Sequence, residues 1–393
     1  MRLLLLRSNR YAIAPAVATG HDGRVMHEID EKVDRLARLA TRRGLGGILL
    51  NTQPNFAWMT GGRSNQIDGS RENGAGSLLV SARGERFAVA NNIEMPRLQD
   101  EPLAGLGFTP CEYAWTREHA DPGTPIAIAA AAAGGRIGCD AALPGGLPIE
   151  ADIAAARVPL TPAEVERYRA LGGDLGRIIG KLCRGLVPGQ TEIDIAHRVA
   201  ASLACIGARA HVTLVAADDR MARFRHPVPT DAAWRHQVMV VVCAQRQGLV
   251  AALSRIVSAG RAPDHLESRT AAAAGVFARL VRATTPGTTG AELFEVAARA
   301  YIEAGFPDEE LRHHQGGATG YRSREWLAHP RSSEIVQRHQ AFAWNPSVTG
   351  TKVEETTLVH EDGFEVLTTS PDWPAIALTS GDRPLAAPAV LAL

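Results

Sequence analysis

The run Leu160-Thr161-Pro162-Ala163-Glu164-Val165-Glu166 divides this 393-residue chain and constrains what each half can become. It reads as a helix start. Thr161 can cap, and Pro162 suits the first turn because its missing N–H has no intrahelical acceptor there. Glu164 can reach back to the cap backbone. The spacing predicts one long helix over 162–184 and another over 192–206. A domain boundary is placed just before this start, near Arg157.

The first half alternates helical and strand patterns. Residues 1–25 show no clear period and read as an N-terminal arm. Helical spacing begins near His27, with Ile29, Val33, Leu36, Leu39 and Ala40 on one face. Strands are predicted at 47–50, 77–81, 86–90 and 136–139, a loop at 51–55 and a helix at 126–133. This makes residues 26–157 a small α/β domain. The second half, 158–393, carries strands near 212–216, 237–243 and 249–257. Helices follow at 265–283 and 289–304, the latter capped by Thr289 with Glu292 three residues on. Further strands are expected at 340–344, 356–360 and 365–368. The whole is an α+β protein.

Composition excludes several classes of function. Lys+Arg and Asp+Glu both number 42, so no charge excess draws the chain to nucleic acid or an anionic membrane. No apolar run is long enough to span a bilayer, and the opening Met-Arg-Leu-Leu-Leu-Leu-Arg is too short for a signal-peptide core. Five cysteines, odd in number and without metal or redox spacing, read as buried thiols in a reducing compartment. The expected setting is the cytoplasm.

The chemistry concentrates in His313-His314-Gln315-Gly316-Gly317-Ala318-Thr319-Gly320. This segment has the frame His-x-x-Gly-His-Gly-x-Gly, with glycine where the second histidine would stand. Other segments fall in a matching order. They are Gln53-Pro54-Asn55-Phe56-Ala57-Trp58-Met59-Thr60-Gly61, Phe224-Arg225-His226-Pro227, Val241 to Arg255, Trp344-Asn345-Pro346, and Lys352-Val353-Glu354-Glu355-Thr356. Together they resemble the creatinase/aminopeptidase P/prolidase (M24 peptidase-like) superfamily. The resemblance implies a creatinase-like N-terminal domain followed by a pita-bread catalytic domain, and a homodimer.

In that superfamily two Asp, one His and two Glu hold two divalent ions. The resemblance puts Val241 and Ala252 at the Asp positions, Gly317 at the His position and Asn345 at the first Glu position. Only Glu354 keeps a ligand side chain. The resemblance therefore implies a variant without the metal ligands, and no metal or other cofactor is expected. His226 matches the histidine that shuttles protons, which in metal-independent creatinase is the main acid/base. His313 matches the second, non-ligand histidine, which binds substrate or an oxyanion. Ser254 stands where creatinase has a glutamate for its guanidinium substrate, which argues against creatine.

The expected catalytic residues are therefore His226, His313 and Glu354. Imidazole titrates near pH ~6.5, which suits proton transfer. Glu354 either pairs with a cation (Arg255, Arg324 or Lys352), stays protonated, or binds an N–H-bearing substrate. Candidate substrate-binding residues are Asn345, Tyr321, Arg324, His314, Trp344, Trp58 and Arg63. If the segment is a strand, His313 and His314 point to opposite faces. The lost Asp and His side chains are expected to free space for an organic substrate. Cys243 is expected to be a packed thiol. The expected function is a metal-independent hydrolase that cleaves a C–N bond, amide or amidine-like, in a small molecule. Alternatives are a lyase or cyclase on the same site, a catalytically inactive binding protein, or a metal peptidase with an unfamiliar ligand set.

Overall fold

The computed structural model describes residues 21–379 and 383–393. The expected arm falls mostly outside these residues. Where description begins, the chain is already helical: α1 spans His21–Arg42, six residues earlier than the periodicity suggested. Its predicted face is real, since Ile29, Val33, Leu36, Leu39 and Ala40 are all buried.

The first domain is built on six strands: β1 Gly47–Thr52, β2 Asn73–Ser81, β3 Arg86–Asn91, β4 Thr109–Tyr113, β5 Ile137–Cys139 and β6 Leu147–Pro148. Their order is β4-β3-β2-β1-β5-β6. The sheet is mixed, with β1–β2 and β2–β3 antiparallel and the other pairs parallel. Helices α2 Gln53–Met59, α3 Met95–Asp100, α4 Trp115–Ala120, α5 Thr124–Ala133 and α6 Glu150–Arg157 connect it. The loop expected over 51–55 is instead the end of β1 and the start of α2. Pro54 sits in the first turn of that helix, where its lack of an N–H costs nothing.

The second domain opens with α7 Pro162–Arg184. Its capping box is complete: Thr161 Oγ1 accepts from the Glu164 N–H, and Glu164 accepts from the Thr161 N–H at 2.7 Å. Thr191 and Thr289 repeat the device at α8 Glu192–Ala204 and, later, α11 Gly290–Glu303. Strands β7 Arg209–Ala217, β8 Gln237–Arg246 and β9 Leu249–Ser258 form an antiparallel meander, with α9 Arg220–Arg223 after β7. The face carrying Val240, Val242, Ala251 and Leu253 packs with Leu175, Ile179 and Val199 of α7 and α8. Helices α10 Asp264–Ala283 and α11 cover a second sheet. Its strands are β10 Gly316–Thr319, β11 Trp326–Leu327, β12 Ala341–Trp344, β13 Glu355–His360 and β14 Gly363–Val366, in the order β11-β10-β12-β13-β14. The short helix α12 Glu309–Arg312 leads into β10. The two sheets face each other, joined where the Ser254 N–H donates to the Glu354 carbonyl and Ala252 bonds Thr356.

Buried charge ties the two domains together. Lys32 donates to Glu28 at 2.5 Å, to Glu164 at 2.7 Å and to the Trp58 carbonyl at 2.7 Å. Tyr321 also donates to Glu164, and Arg167 to Glu28. Arg157, at the end of α6, pairs with Glu325 of the second domain and bonds Asn55.

Candidate functional site

Side chains of β8 and β9 alternate between faces. Cys243 lies opposite Ala252, and Val241 opposite Ser254. These residues look away from α7 and α8, toward the second sheet. Cys243, Val250, Ala252 and Ala343 form a small apolar cluster there, while Val241 packs with Leu214, Met239 and Ile256. The Cys243 thiol is pushed up to about 12 by burial. It is a packed, protonated thiol at neutral pH, as expected. Cys205, in contrast to the general expectation for the cysteines, is exposed.

Gly317 does not leave an open space. An added Cβ would meet the Trp326 carbonyl oxygen at 2.2 Å and Leu327 Cα at 3.0 Å. Strand β11 fills the volume a side chain would need, so the expectation that glycine enlarges the pocket is corrected. Gly316 is equally confined, with a Cβ 2.1 Å from the Ala343 carbonyl and φ at +99°.

The imidazoles gather just before β10. His226 and His313 have Nε2 atoms 3.2 Å apart. His313 and His314 rings stack at 4.3 Å, and His226 and His314 lie 5.7 Å apart. The expectation that only one of the adjacent histidines would join the site is overturned. They precede β10, which begins at Gly316, so strand alternation does not govern them. Arg225 holds the cluster together. It bonds Glu309 at 2.5 Å, Thr349 at 2.8 Å and Ser347 at 3.1 Å, which fixes the His226 segment against the short helix that precedes His313.

All three rings are shifted toward the neutral form. Burial is the main cause at each. For His226 and His313 the next is the positive charge of Lys352; for His314 it is Arg324. His314 falls to about 4, and His313 is held far below the ordinary range. His226 is the solvent-exposed member and His313 the buried one. A neutral imidazole can accept a proton, so the cluster is equipped for base chemistry.

Glu354 projects into the same region. Of the three cations considered for it, Arg324 is the partner, at 3.1 Å to Oε1. Arg255 pairs instead with Glu355 at 2.8 Å. Lys352 pairs with neither. Glu354 Oε2, Asn345 Oδ1 and the Nδ1 atoms of His313 and His314 are buried without a hydrogen-bond partner. Arg324 also lines a cavity of about 620 Å³ between the domains, walled by Gln53, Arg71, Arg209, Gln245 and Arg322.

Two expected substrate contacts, Trp344 and Trp58, are corrected. Trp344 is fully buried, stacks on Phe342 and donates its indole N–H to Thr284. Trp58 is fully buried in the main core. Tyr321 borders the cavity, but its hydroxyl is committed to Glu164. Arg63 donates to the Pro102 and Ala104 carbonyls and lines a cavity with Gln53, Arg209 and Gln245. Aromatic identity near the motif was a poor guide, because large rings are most often drawn into cores. The sequence pattern points to Lys352 only as a partner for Glu354 and gives no signal for Arg225 despite its place beside His226.

Comparison with known proteins fits this architecture. Residues 168–363 match the family model described as metallopeptidase family M24. This segment is an M24-family domain. A probable dipeptidase PepE of Mycobacterium tuberculosis is 24% identical over 358 residues, covering 84% of this chain and 91% of its own. Among solved structures, dipeptidase PepE from Mycobacterium ulcerans superposes with a TM-score of 0.74 at 20% identity, covering 88% of this chain and 97% of its own. Prolidase from Pyrococcus horikoshii OT3 gives 0.73 at 16% identity, covering 86% and 98%. The chain therefore has the pita-bread fold of these M24 proteins, with an N-terminal domain before it. Among the described residues, no helix is long and apolar enough to cross a membrane.

Proposed function

We propose that this protein is a hydrolase of C–N bonds in small molecules that works through histidine acid/base chemistry and without the family's pair of metal ions. The named relatives are dipeptidases and a prolidase, so C–N hydrolysis is the chemistry the family brings. The metal pair does not fit the residues present. The positions that the resemblance assigns to the ligands hold Val241 and Ala252, both packed in apolar clusters. A third holds Gly317, where no side chain has room, and a fourth the neutral amide of Asn345. The remaining carboxylate, Glu354, is bonded to Arg324. Two dications need several anionic ligands to offset their desolvation, and one shared carboxylate does not supply them.

The observation that carries the reading is the His226–His313 contact at 3.2 Å. His226 is the exposed ring and would take a proton from attacking water, then return it to the leaving nitrogen. His313 supports it and would bind the substrate oxygen, with Asn345 and Arg324 beside it. The test is a screen of small amides and cyclic amidines in ¹⁸O-labelled water with and without chelator. Chelator-insensitive turnover that carries label into product and disappears in His226→Ala supports the reading. Product without label would make the protein a lyase or cyclase, and undiminished turnover in the variant would remove His226 from the mechanism.

A second reading rests on the same three rings, whose nitrogens lie within 4.8 Å of one another. At metal–nitrogen distances of about 2.0–2.1 Å, tetrahedral ligands sit about 3.3–3.4 Å apart, close to the 3.2 Å seen for His226 and His313. One transition-metal ion could be held there. Against it stands the positive charge of Arg324, Arg225 and Lys352 at the rings, opposed by Glu354, with burial drawing the Lys352 amine toward its neutral form. Their surplus charge repels a dication and leaves the metal-independent reading the stronger.

A further inference from the structure

Two lysines are buried among the described residues, and they are treated in opposite ways. Lys32 has three bonded acceptors, two of them carboxylates. Lys352 is only 4% exposed, yet its ammonium has no hydrogen-bond or ion-pair partner among the described residues. Burial pulls the Lys352 amine toward its neutral form while the charge of Glu354 acts the other way, and a protein normally pairs such a group as it does Lys32. The obvious acceptor is two residues away, but Glu354 gives one oxygen to Arg324 and keeps the other, Oε2, unbonded. A donor and an acceptor thus stand in one cleft without bonding each other. They complement a group that offers both an acceptor and an N–H.

The placement is equally specific. The charge of Lys352 acts on His226, His313, His314 and Cys243. Its own carbonyl accepts from Ser254 Oγ, across from Val241 on the β8–β9 hairpin. Lys352 therefore sits on the segment that meets the β8–β9 hairpin, two residues from Glu354 and within electrostatic reach of the three imidazoles.

Resting on the C–N hydrolase reading above, we propose that Lys352 is a catalytic residue whose ammonium receives the substrate's carbonyl oxygen and the oxyanion it becomes, so that the substrate is a neutral amide and not a cationic amidine. Water adds to the carbonyl carbon, forming a C–O bond and passing a proton to His226 Nδ1, the ring nitrogen not engaged with His313. The carbonyl π pair moves to oxygen, where Lys352 holds the negative charge. The pair returns, the C–N bond breaks, and the leaving nitrogen takes the proton from His226. Carboxylic acid and amine are released, and the acid ionises. Glu354 Oε2 accepts the amide N–H throughout. A cation held against a developing oxyanion is among the largest single contributions to such reactions. An amidinium would meet Lys352 as a like charge.

The test uses acetate and acetamidinium as probes, titrated into the full chain at constant ionic strength, with binding read calorimetrically. Acetate should bind the wild type and acetamidinium should not. Lys352→Met should weaken acetate about 10- to 100-fold, the loss of one charge-assisted hydrogen bond, and Lys352→Arg should retain it. The melting temperature of Lys352→Met should equal or exceed that of the wild type, because a buried unpaired charge is removed. A structural lysine would instead lower it. Acetamidinium binding better than acetate to the wild type would overturn the proposal, and needs no variant. So would unchanged acetate affinity in folded Lys352→Met. If acetate binds through Lys352 but no amide is turned over, the hydrolase reading fails while the oxyanion site stands.

Discussion

His226 and His313 present their Nε2 atoms to each other at 3.2 Å, one ring open to solvent and the other buried. A proton shared between two neutral imidazoles leaves one nitrogen as donor and the other as acceptor. The pair joins segments 87 residues apart in sequence. Arg225 sets the spacing through Glu309. His226→Gln should reduce turnover by about 10²–10⁴, the usual contribution of a general acid/base. Because His226 is exposed, denaturant midpoints should move little, as for other surface changes. A large loss of stability would instead assign His226 a structural role.

Arg225→Met should loosen the same pair without removing either ring. It leaves Glu309 partly buried without its cation, so stability should fall by about 1–3 kcal/mol. The histidine NMR titration curves should lose their mutual coupling. Unchanged curves would mean that the rings are placed by something else.

The depressed histidines make stability depend on pH with a definite sign. His313 and His314 stay neutral in the folded chain well below the ordinary imidazole range, chiefly through burial. In the unfolded chain each takes up a proton near pH ~6.5. The unfolded state therefore binds more protons below that pH, so stability is full above about 6.5 and falls as the solution is acidified. For His314 the fall ends near its folded value of about 4. Urea unfolding at pH 7.5, 6.0 and 5.0 checks this. His314→Asn should flatten part of the slope, and an identical slope in the variant would contradict the assignment.

Gly317→Ala should be destabilising by about 1–3 kcal/mol or more, the cost of overpacking. Its Cβ would sit 2.2 Å from a backbone oxygen of β11, which has no side-chain freedom with which to yield. Thermal denaturation reads the effect directly. A neutral alanine variant would show that β11 moves aside and that the space is available after all.

Lys32→Met should cost about 3–5 kcal/mol, the penalty for removing one partner from a buried ionic cluster. Glu28 and Glu164 would remain buried, with Arg167, the Tyr321 hydroxyl and the Thr161 N–H as their remaining partners. The two domains should then separate more easily, visible as increased proteolysis near residues 157–161. Equal stability in this variant would remove the distinction drawn between Lys32 and Lys352.

Helix starts were legible because their causes are local. Thr161, Thr191 and Thr289 each carry their capping partner three residues on, and each forms a box. The face of α1 was legible from period alone. Residues 51–55 were misread because Pro54 signals both a turn and a first helical position. Within the site, the structure brings His226 to His313 and Arg324 to Glu354. What was hidden depended on tertiary packing. The joint use of His313 and His314 turns on where β10 begins. The filling of the Gly317 position comes from β11, nine residues further on. Trp58 and Trp344 lay near the motif in sequence but in the cores in space. The isolation of Lys352 could not be read at all, because it depends on Arg324 reaching Glu354 first.

The central claim is that this M24 site works without the family's pair of metal ions. Elemental analysis of the full chain, purified without chelator and then equilibrated with Mn²⁺, Co²⁺ and Zn²⁺ before desalting, tests it most directly. The account predicts no stoichiometric metal after any of the three. Two equivalents per chain would contradict it outright. One equivalent, lost in His314→Asn, would contradict it in favour of an ion held by the three histidines.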